Sequence, residues 1–127
     1  MAAIYGIDLT LATSYDYTTD YSGYFITPLY TVGTNLQLRK FQEIEFQLAR
    51  PLRTGEGIKI EFRTDLTASF TEIETWAYSD ANVGAVVSKN LLTNTQTAIP
   101  ACEQIQLKVS LLGTATTSPE LKSIILR

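Results

Sequence analysis

The chain has 127 residues, 45% apolar and 18% charged, with 10 Lys and Arg against 13 Asp and Glu for a net charge of −3. This is the length of one domain, and folding should bury roughly two-thirds of the unfolded surface, enough for a true core. The lack of any histidine removes the commonest general base and transition-metal ligand, the scattered basic residues argue against a nucleic-acid stripe, and no run reaches the roughly 18 apolar residues of a membrane helix.

The N-terminus has no basic region followed by an apolar stretch, so it does not read as a signal peptide and predicts synthesis in a cytoplasm. Residues 3–10 give a first weak strand, with Ile7 and Leu9 on one side. From Thr13 to Tyr24 the chain holds Tyr15, Tyr17, Tyr21 and Tyr24 among Ser, Thr, Asp and Gly. Binding loops use this mixture, because tyrosine offers large contact area at small entropic cost. It equally suits tyrosines packed on the rim of a sandwich.

Residues 24–32 are rich in strand formers, but Pro28 cannot donate to a ladder and predicts an edge position or a break. Residues 31–40 are ambiguous: Leu36 and Leu38 alternate, then Arg39 and Lys40 follow. Residues 41–49 alternate clearly, with Ile44, Phe46 and Leu48 opposite Glu43, Glu45 and Gln47. Pro51, Gly55 and Gly57 then predict a hairpin loop. Residues 58–63 place Ile58, Ile60 and Phe62 against Lys59, Glu61 and Arg63.

Residues 70–77 carry Phe70, Ile73 and Trp76; Asp80 to Gly84 is a turn; residues 83–88 and 95–99 are short and apolar. Residues 103–112 set Ile105, Leu107, Val109 and Leu111 against Gln104, Gln106, Lys108 and Ser110. A turn over Thr116 to Pro119 leads into a last strand at 120–126. About eight or nine short strands with turns between them predict an all-β antiparallel sandwich, jelly-roll-like. The whole of 1–127 reads as one domain: an N-terminal strand and tyrosine-rich loop over 1–23, and a sandwich body over 24–127.

Chemical candidates are few. Trp76 and Tyr78 are two apart and share a strand face, so they form either a carbohydrate platform or part of the core. Asp16, Asp20, Asp65, Asp80 and Asn82 fit no calcium-loop spacing and read as turn formers. Glu72 with Glu74, and Glu43 with Glu45, are same-face pairs that solvated strand faces explain without a glycosidase cleft. Cys102 lacks an intrachain partner and reads as a small buried hydrophobe. No catalytic residue, metal site or cofactor site is expected, and the chain is read as no enzyme.

Three segments, taken in order, carry a resemblance. They are Tyr24 to Gly33, with Thr27-Pro28-Leu29 inside it; Phe41 to Arg63, with Arg50-Pro-Leu-Arg-Thr-Gly-Glu-Gly57 at its centre; and Ile105 to Gly113 running into Thr117-Ser-Pro-Glu-Leu-Lys-Ser-Ile124. Their order and spacing resemble a β-sandwich module of tailed-phage structural proteins, over roughly residues 24–126. The resemblance implies a virion component: part of a tail, fibre or baseplate, or a capsid-associated decoration protein. It implies other virion proteins as partners, assembly into homo-oligomers and no catalytic residues. The Thr13 to Tyr21 segment lies outside it. The alternative is a carbohydrate-binding module that meets a host-surface glycan through exposed aromatics. Candidate contact residues under either reading are Tyr15, Tyr17, Tyr21, Tyr24, Trp76 and Tyr78.

Overall fold

A computed structural model describes residues 5–8, 22–79, 84–92 and 99–127. These form β1 (Tyr5–Asp8), β2 (Ser22–Ile26), β3 (Tyr30–Thr31), β4 (Glu43–Leu48), β5 (Gly57–Arg63), β6 (Thr71–Ala77), β7 (Val86–Asn90), β8 (Gln104–Leu112) and β9 (Leu121–Leu126), with no helix among the described residues. All pairings are antiparallel, in two sheets of order β1-β9-β4-β7 and β2-β8-β5-β6, with β3 also on β8. The all-β sandwich expected from the alternation is what the chain forms.

The three clearest alternating segments supply the core. Ile44, Phe46 and Leu48 of β4 face Ile58, Ile60 and Phe62 of β5, with Leu107, Val109 and Leu111 of β8 beside them. Ile124 and Leu126 of β9 complete the first sheet's inner face. Between the sheets, Phe46 and Trp76 meet edge to face with ring centroids 4.8 Å apart. A side-chain period of two puts every second residue in this dry layer and its neighbour in water.

Pro28 does sit at a break on an edge strand. The β2–β8 register runs to Ile26 opposite Lys108, and that of β3 resumes with Tyr30 opposite Ile105. One extra residue therefore lies on the β2–β3 side, and the bulge absorbs the missing proline N–H. Thr27 secures it: its N–H donates to the Leu107 carbonyl, and its hydroxyl accepts from the Leu107 N–H.

Two sequence expectations change. The segment between β4 and β5 is no hairpin loop, because β4 and β5 belong to opposite sheets and the segment crosses from one to the other. Glycine and proline mark a turn, but the turn does not reveal which strand the next one will pair with. Likewise, Glu72 and Glu74 do not share a face. A bulge between Ile60 and Glu61 sets Glu74 opposite Ile60 and Glu72 opposite Glu61, and one residue of slip reverses facing. Glu72 accepts from the Thr75 hydroxyl. Glu74 turns to the open side of the sandwich and pairs with Lys89 of β7 at 3.1 Å, bridging the two sheets.

Candidate interaction surfaces

The outer face of the second sheet carries Tyr24 and Ile26 of β2, Gln106 and Lys108 of β8, and Lys59, Glu61 and Arg63 of β5. Tyr24 is 59% exposed. The Lys108 ammonium lies 4.5 Å from its ring centroid, and the Arg63 guanidinium lies 4.4 Å from that of Phe70. Both are cation–π distances. Arg63 is aimed by Nε donating to Gln106 Oε1 at 2.7 Å, while Gln106 Nε2 donates to the Thr27 carbonyl. These aromatics each have a cation on one ring, so the face is a mixed aromatic and basic surface rather than a bare stacking platform.

Trp76 is only 6% exposed and belongs to the core, whereas Tyr78, beyond the end of β6, is 50% exposed. The two therefore form no row, and Trp76 cannot meet a ligand while the sandwich is closed. The neighbouring register explains this: Trp76 pairs with Ile58, an inward position. Tyr15, Tyr17 and Tyr21, with Asp16, Asp20, Asp80 and Asn82, lie outside the described residues.

A feature that the alternation left ambiguous is the tip after β3. Thr34 and Gln37 exchange backbone hydrogen bonds of 3.0 and 3.1 Å across Asn35 and Leu36. Arg39 and Cys102 exchange two more, of 2.8 Å each, and tie the tip to the start of β8. Gly33 is required where these strands meet, since a Cβ there would lie 2.8 Å from the Gln37 carbonyl oxygen and 2.9 Å from the Arg39 nitrogen. Leu36 at the apex is 94% exposed, and Leu38 is 51% exposed. Only the contrast between a hydrogen-bonded base and an apolar apex singles this turn out, and that contrast appears in three dimensions.

Sequence reasoning also missed the buried charge. Glu56, with its side chain wholly enclosed, accepts from Arg50 Nη1 and Nη2 at 2.8 and 2.9 Å, from the Thr117 hydroxyl at 2.5 Å and from the Arg53 N–H at 2.6 Å. Arg50 Nη2 also donates to the Ser118 carbonyl at 2.7 Å. Burial pushes the carboxyl upward, but the Arg50, Thr117 and Arg53 donors outweigh it and hold it down to about 2. The group is a fastener. It locks the β4–β5 crossover to the segment between β8 and β9, and all its acceptor capacity is used internally. The remaining acidic pair, Glu43 and Glu45, is held by Arg127 at 2.8 and 3.3 Å.

No family model, curated protein or solved structure matches the chain. Among the described residues, no group of three or more Cys, Asp or Glu is placed to hold a metal ion, and no helix is long and apolar enough to cross a membrane. Each acidic pair singled out in the sequence is engaged with a neighbouring cation or hydroxyl. What this surface offers chemically is contact area: an apolar tip at one end and an aromatic and basic sheet face.

Proposed function

We propose that the chain is a non-enzymatic structural protein of a bacteriophage virion, working by protein–protein assembly in a tail, fibre or baseplate, or as a capsid-associated decoration protein. Its partners are other virion proteins and copies of itself. The observation that carries the assembly reading is the hydrogen-bonded tip that presents Leu36 and Leu38 to solvent. A large apolar side chain at the apex of a hydrogen-bonded turn gains from burial only when a partner covers it.

Two further features support the reading. Strand order β1-β9-β4-β7 over β2-β8-β5-β6 is the order that two interleaved Greek keys produce, which favours a jelly roll. Jelly rolls recur in capsid and lectin domains, a fold-level analogy that does not by itself assign a role. The resemblance of residues 24–126 to tailed-phage modules supplies the virion setting.

The test is sedimentation of the purified chain with capsids and tails assembled from the proteins encoded by neighbouring genes. The chain is expected to co-sediment with one particle type at saturating stoichiometry. Failure to join any particle, together with a strictly monomeric chain at high concentration, would refute the reading.

A further inference from the structure

We draw no further inference here: the strongest candidate, the polar cavity between the β4–β5 crossover and the turn joining β8 to β9, lined by Arg50, Arg53, Thr114, Thr116, Thr117 and Glu120, carries nothing, because Arg50 is already held by the enclosed Glu56 and stands 4.0 Å from Glu120, the two arginines are balanced by these two glutamates, and nothing in the structure shows what would fill it.

Discussion

Replacing Glu56 by glutamine tests the buried fastener most directly. The carboxylate is held near 2 in the folded chain against an ordinary value of 4.5. That difference corresponds to about 3 kcal/mol of folding stability, because one pH unit is worth about 1.4 kcal/mol. The folded value is the lower one, so this stabilisation is complete above about pH 4.5 and is lost as the pH falls towards 2. The amide side chain keeps the shape and loses the charge. Urea unfolding of wild type and Glu56→Gln, followed through Trp76, the chain's single tryptophan, therefore gives a difference that depends on pH. The wild-type advantage should shrink by about 3 kcal/mol between neutral pH and about pH 2. Other carboxylates titrate in both proteins and cancel. An advantage that stays constant across this range would refute the reasoning, since it would mean that Glu56 gains nothing from its charge. Arg50→Met supplies the converse. It strands a buried carboxylate and should cost about 3–5 kcal/mol at neutral pH. Without Arg50 only the Thr117 and Arg53 donors oppose burial, so the carboxyl should rise from its value near 2 and the variant's deficit against the wild type should narrow as the pH falls.

Three other outcomes follow from the packing. Phe46→Ala removes a fully buried ring from between the sheets and should cost about 3–5 kcal/mol in urea unfolding; loss of the edge contact with Trp76 should also alter native tryptophan emission. Gly33→Ala forces a Cβ against three backbone atoms within 3.0 Å and should cost about 1–3 kcal/mol, whereas a tolerant site would show no change in melting. The Cys102 thiol is buried and pushed up by desolvation, so a maleimide should label it slowly in the native chain and rapidly in urea. Equal rates in the two conditions would mean that the start of β8 is open to solvent.

Local chemistry made much of this fold legible. Alternation in residues 41–49, 58–63 and 103–112 named both the strands and their inward residues, because a strand's period of two is written into consecutive side chains. Pro28 announced its break because a missing N–H is a property of that residue alone. The candidate contact residues fared differently. Trp76 was compatible with both core and platform, and only its pairing with the inward Ile58 decided between them. Tyr24 lies exposed on the outer face, but nothing along the chain foretold Lys108 over its ring.

The sequence by itself thus determined strand composition, burial pattern and the scarcity of chemical groups, since each depends on residues near one another in the chain. Tertiary structure alone decided that β4 and β5 fall in different sheets, that a bulge parts Glu72 from Glu74, and that Glu56 is an enclosed partner of Arg50 and Thr117. It also decided that Leu36 stands exposed at the apex of a turn tied to the start of β8. The physical reason is common to all four. Hydrogen-bond pairing between strands and the closing of loops over one another join residues far apart in sequence, and no local pattern encodes which distant segment arrives.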